Sequence, residues 1–273
     1  MTRSTSGSPA VRPMYRMPLV PLAGFGVCLL LGRKRSFKRD SLLVLEANAG
    51  SARRVEGIEQ IPSSGSFMLV MNHYSRRGLR PYHCAMAASA AIGDRRPGLP
   101  EMRWTFTSEY LGQHIGPVPI PLTLIRWLFR RVAQVYGFII MPRREELRLG
   151  RASALRELLR ALDAGPIAMT PEGLRSSGRL TEPPEGVGRF LGMASRRAPL
   201  LPAGAWEDDE GVLHLRFGPA FHLAAADRTR APDIEDRRLS RATMVEIGRL
   251  LPPEYRGAYE TELGAGGAGK GAP

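Results

Sequence analysis

Cysteine, lysine and long apolar runs are all scarce in this chain of 273 residues. Its two cysteines, Cys28 and Cys84, are too few and too differently placed for a disulfide framework, which fits a reducing compartment. Cys84 lies among Ala85, Met86, Ala87 and Ala88, the composition of a packed helix, and reads as a small buried residue instead of a nucleophile. Lys34, Lys38 and Lys270 are the only lysines, so 36 of the 39 basic residues are arginine, a bias that genome composition commonly produces. The net charge of +13 raises nucleic acid as a partner, but zinc-ligand spacing and an aromatic RNA-binding signature are both missing. His83, His114 and His222 share no ligand spacing with Cys or carboxylates, which argues against a metal site. A Ser/Gly/Pro linker is absent from the middle of the chain, so one domain is expected.

No apolar run reaches the roughly 20 residues that span a bilayer as a helix. The longest, residues 17–32, holds Pro18, Pro21, Gly24 and Gly26. Arg16 precedes it and Arg33, Lys34, Arg35, Lys38 and Arg39 follow, as beside an anionic lipid surface. Small residues suited to signal cleavage do not follow it. Positive charge on both flanks favours both ends on the cytoplasmic side, hence a peripheral or monotopic anchor within residues 1–40, with a buried N-terminal helix as the alternative. Residues 122–136 form an amphipathic helix, with Leu124, Ile125, Leu128, Val132 and Val135 on one side and Arg126, Arg130 and Gln134 on another. Such a stripe is ordinarily a solvated face of a globular helix, although Trp127, Phe129 and Tyr136 also suit a membrane interface.

With 43% hydrophobic residues and strands that read as continuous apolar runs, the chain predicts an α/β fold: a single domain, residues 41–260, with a mostly parallel central sheet flanked by helices. Residues 145–163 carry Leu155, Leu158, Leu159 and Leu162 at helical spacing. Leu213, Leu215 and Phe217 alternate with His214 and Arg216 as in a half-exposed strand, which places His214 at the surface. Ser240 can cap a helix that runs to Leu251. Residues 261–273 read as a disordered Gly/Ala tail; its Gly264-x-Gly266-x-x-Gly269 has no following helix for a phosphate to sit on.

Two blocks carry the chemistry. Asn72-His73-Tyr74-Ser75-Arg76-Arg77-Gly78 follows the apolar run Phe67-Met68-Leu69-Val70-Met71, and Thr170-Pro171-Glu172-Gly173-Leu174-Arg175-Ser176 follows Pro166-Ile167-Ala168-Met169. Each is a loop leaving a buried strand, where α/β proteins keep their sites. They offer a histidine able to take a proton, a carboxylate, a glycine that admits close backbone approach, and an arginine suited to phosphate.

This pair of blocks resembles the glycerolipid acyltransferases, of which the lysophosphatidic acid (1-acylglycerol-3-phosphate) acyltransferases are the best known. Residues Tyr136-Gly137-Phe138-Ile139-Ile140-Met141-Pro142-Arg143-Arg144 are similar to that family's short strand ending in a basic residue. Ala198-Pro199-Leu200-Leu201-Pro202-Ala203-Gly204-Ala205 resembles its fourth block, and Phe217-Gly218-Pro219 with a terminal helix completes the likeness. The resemblance implies transfer of a fatty acyl group from acyl-CoA or acyl carrier protein to a lysophospholipid hydroxyl in phospholipid biosynthesis, at a membrane, with no cofactor and no metal. By the same resemblance His73 is the general base and Asn72 braces its loop. Glu172 and Gly173 shape the acceptor site, and Arg175, helped by Arg143 or Arg144, holds the phosphate. The structural alternatives are an Arg175–Glu172 ion pair, and a helix start in which Arg143 and Arg144 precede Glu145 and Glu146.

The chain departs from the family at one position. Where the family's first block has His, four residues and then Asp, this sequence has His73, four residues and then Gly78. Asp94, Glu101, Glu109 or a backbone carbonyl would then have to orient His73. The alternatives are a catalytically silent lipid-binding relative and a membrane-surface structural protein. Oligomeric state is left open by the sequence.

Overall fold

The computed structural model describes residues 12–107, 114–115, 118–141, 148–173, 178–227 and 229–265. Two helices, α1 (Leu19–Leu31) and α2 (Phe37–Ala47), lead into β1 (Arg53–Glu56) and β2 (Met68–Met71). Next come α3 (Pro81–Arg95), β3 (Arg103–Thr107), the short strands β4 (His114–Ile115) and β5 (Val118–Pro119), α4 (Leu122–Tyr136) and β6 (Ile139–Met141). The chain continues through α5 (Arg148–Ala164), β7 (Ile167–Met169), α6 (Val187–Ser195), β8 (Leu200–Glu207) and β9 (Leu213–Phe217) to α7 (Pro232–Arg249) and α8 (Glu260–Ala265).

Seven strands form one sheet in the order β1-β9-β8-β2-β7-β3-β6, and β4 pairs with β5 apart from it. Every neighbouring pair in the sheet is parallel except β8 with β9. The protein is thus a single α/β domain with a mostly parallel central sheet, as the apolar runs predict. All four residues of β2 are buried, because both faces of a central parallel strand are covered. Leu69 and Met71 point into one core with α2 and α3, around Val44, Ala88 and Trp104. Met68 and Val70 point into the other with α5, α6 and α7, around Leu158, Leu191 and Met244. That alternation is the two-residue period of a strand.

Two expectations change. His214 is buried, not at the surface: its ring stacks on Trp206 at 4.8 Å and its Nε2 lies 2.8 Å from Asp208 Oδ2. Ser240 does not cap a helix, since α7 begins eight residues earlier with Pro232 in its first turn, where a missing N–H costs nothing. The stripe on α4 is divided: Ile125 and Val135 are buried, while Leu124, Trp127 and Leu128 are exposed. Cys84 is fully buried on α3, and burial pushes its thiol pKa up to about 12, which fits a packing residue.

The N-terminal segment is joined to the domain. Helix α2 runs through residue 40, with Phe37 in the core and Asp40 held by the Arg35 fork (2.5 and 2.7 Å) and the Tyr136 hydroxyl (2.7 Å). Phe25 of α1 stacks on Tyr136 of α4 at 5.6 Å. No helix among the described residues is long and apolar enough to cross a membrane.

Candidate active site

Because β2 and β7 are parallel neighbours, the loops that follow them leave the same edge of the sheet. Their register pairs Met68 with Ile167 and Val70 with Met169, and the same offset carries His73 to Glu172. The contact is made: the His73 backbone N–H donates to Glu172 Oε2 at 2.7 Å. On the other side Asn72 closes on β8, its Nδ2 donating to the Ala205 carbonyl (2.8 Å) and its Oδ1 accepting from the Ala205 N–H (2.7 Å). Asn72 is buried with both ends of its carboxamide satisfied, which is a bracing role. Two strands therefore hold the backbone of the His73 loop from both sides.

Glu172 is 2% exposed. Its Oε1 accepts from the Thr181 N–H (2.8 Å) and hydroxyl (3.2 Å), so both carboxylate oxygens are engaged. Burial raises its pKa, against the opposing pull of these hydrogen bonds. Gly173 sits at φ +74° in a turn whose N–H donates to Thr170 O at 3.1 Å. Among the described residues a Cβ there would meet only Pro184 Cγ at 3.7 Å, so the φ of Gly173 is what favours glycine. Arg175, Arg143 and Arg144 lie outside the described residues, as does Glu109; β6 ends at Met141, on the same edge of the sheet as β2 and β7.

Burial lowers the pKa of His73 below the ordinary 6.5, which keeps the imidazole neutral and able to accept a proton near neutral pH. Its Nδ1 is buried and has no hydrogen-bond partner among the described residues. Asp94 pairs with Lys38 Nζ at 3.0 Å, and Glu101 accepts from the Ser36 hydroxyl (2.5 Å) and the Lys38 N–H (3.1 Å). Neither of these carboxylates orients the ring.

The rest of the loop is built around a residue the sequence reading did not single out. Glu207, at the end of β8, is wholly buried and takes both prongs of Arg76, with Nη2 to Oε1 at 2.5 Å. Arg76 also donates to the Pro13 carbonyl (2.7 Å), and the Tyr15 N–H donates to the Gly78 carbonyl (2.9 Å). The N-terminal strand of chain at residues 12–17 thus straps down the turn between Arg76 and Leu79. Gly78 occupies that turn at φ +85°, and a Cβ there would meet Arg76 Nη1 and Met14 Cγ, each at 3.1 Å. This turn is therefore held by Arg76, through a partner 131 positions away. Pro81 then starts α3, and His83 Nδ1 accepts the Arg80 N–H at 3.0 Å.

Comparison with solved structures finds the 1-acyl-sn-glycerophosphate (LPA) acyltransferase PlsC from Thermotoga maritima, at 16% identity and a TM-score of 0.43, covering 81% of this chain and 87% of that one. At that score the likeness assigns no residue role. No family model matches the chain. No curated protein matches it.

Proposed function

We propose that the protein is an O-acyltransferase that moves a fatty acyl group from acyl-CoA or acyl carrier protein to a lysophospholipid hydroxyl such as that of lysophosphatidic acid. The observation that carries this reading is the meeting of His73 and Glu172 at the ends of β2 and β7, with the carboxylate spent on the His73 backbone and the ring left neutral. In this mechanism the imidazole takes the proton of the acceptor hydroxyl as its oxygen attacks the thioester carbonyl carbon. The tetrahedral adduct then collapses, the carbon–sulfur bond breaks, and the leaving thiolate takes the proton from the imidazolium. Glu172 and Asn72 act on the loop, and no cofactor or metal is required. Arg175, with Arg143 or Arg144, would grip the phosphate, since guanidinium forks match phosphate oxygens.

The same reading places the protein at the cytoplasmic face of the cell membrane. Leu30 and Leu31 of α1 and Leu124, Trp127 and Leu128 of α4 are exposed on two helices that pack together, next to exposed Arg33 and Lys34. Apolar side chains beside cations suit an anionic lipid interface.

A second reading is favoured by His73 Nδ1, which has no hydrogen-bond partner among the described residues: a silent relative that binds lysophospholipid without turning it over. Thiol release from acyl-CoA and acyl carrier protein, measured over a panel of lysophospholipids, separates the two. The enzyme releases thiol only when an acceptor is present. Acceptor binding with release no faster than in buffer establishes the silent relative.

A further inference from the structure

We propose that Thr181 is a positioning residue for His73, acting through the Glu172 carboxylate; its kinetic consequence rests on the acyltransferase reading above. The chain leaves Glu172 through the Gly173 turn and returns at Gly178 to Thr181, whose N–H and hydroxyl both close on Glu172 Oε1 at 2.8 and 3.2 Å. The other oxygen, Oε2, receives the His73 N–H at 2.7 Å. One carboxylate therefore ties Thr181 to the backbone of the histidine.

The returning segment is itself fixed. Leu180 is buried, its N–H donates to the Tyr255 carbonyl at 3.0 Å, and its carbonyl accepts the Ala258 N–H at 3.1 Å. Thr181 thus presents two donors from a rigid segment, and the Glu172 carboxylate cannot rotate without breaking with them. A buried carboxylate holds its plane only while its lone pairs are matched. Removing the hydroxyl leaves Oε1 one donor and loosens the oxygen that receives the His73 N–H. A base misplaced in this way loses rate in the chemical step, not affinity for the acceptor.

The test compares Thr181→Val, Thr181→Ala and Thr181→Ser in the full-length protein. Amide hydrogen exchange at His73 is followed by NMR, and kcat and the acceptor KM by thiol release. A hydrogen bond to a charged group supports about a tenfold effect. The expected result for Val is His73 amide exchange about tenfold faster and kcat about tenfold lower with KM within about twofold, with Ser close to the parent in each. If Thr181→Val does not fold, Thr181→Ala removes the same hydroxyl without adding a methyl and is read the same way. Unchanged His73 exchange in the variant lacking the hydroxyl overturns the proposal, whether or not the protein turns over. A parent that releases no thiol, with the exchange response as expected, overturns the acyltransferase reading and leaves the positioning role standing.

Discussion

Arg76 and Glu207 face each other in a two-pronged ion pair in which the carboxylate is wholly buried and the arginine side chain is 14% exposed. Removing one member of a buried pair leaves the other uncompensated, at a cost of about 3–5 kcal/mol. Arg76→Ala should therefore lower the urea midpoint strongly, because Glu207 loses its partner and the Pro13 carbonyl loses a donor. Arg76→Ala combined with Glu207→Leu should be less damaging than Arg76→Ala alone. Equal losses in the two would mean that the pair carries no coupling.

His73→Ala should abolish acyl transfer, by 10² or more as an order of magnitude for a general base, with an unchanged circular dichroism spectrum. The fold is insensitive to this change because the histidine's structural contact is made by its backbone N–H, which alanine keeps. Turnover within about threefold of the parent would remove His73 from the mechanism.

Gly78→Asp should bring no gain in activity and a lower melting temperature. The position lies at φ +85°, where an L side chain costs about 1–2 kcal/mol, and the new Cβ would press on Met14 and Arg76. A carboxylate beside Arg76 also competes with Glu207. A rise in activity of tenfold or more would show the chain to be an attenuated form of the acid-bearing enzyme.

Stability should fall as pH drops from 6.5 to 4. Burial lowers the pKa of His83 to about 4, and its Nδ1 accepts the Arg80 N–H, a contact that protonation destroys. Between those two values the unfolded chain binds a proton that the folded chain refuses, so unfolding becomes easier as pH falls, by up to about 3 kcal/mol across the window. His83→Gln, less stable at neutral pH, should show a flatter profile between pH 6.5 and 4 in denaturant titrations. A slope equal to the parent's would place the acid sensitivity elsewhere.

Arg175→Lys should impair use of a phosphate-bearing acceptor far more than it lowers the melting temperature, because lysine cannot make a two-pronged contact. A large loss of melting temperature with unchanged kinetics would make Arg175 an ion-pair partner instead.

Strands β2, β6, β7 and β8 were legible because each is an apolar run between turn residues, β9 because its apolar residues alternate with His214 and Arg216, and α4 and α5 because their leucines keep helical spacing. Strand β1, Arg-Arg-Val-Glu, carries no such signal: it lies at the sheet edge and joins it through backbone pairing with β9. The start of α7 was hidden because Ala231 caps it with no side-chain hydrogen bond, leaving only Pro232 to mark it.

The chemistry of the site, a histidine and a carboxylate each released at the end of a buried strand, is local and was written in residue order. What joins them is not. The parallel register of β2 and β7 sets His73 opposite Glu172, and only that pairing turns the carboxylate toward a backbone N–H in place of a ring nitrogen. Glu207 and Thr181 became part of the site for the same reason, since hydrogen bonds and ion pairs between residues far apart in the chain depend on distances that no local pattern encodes.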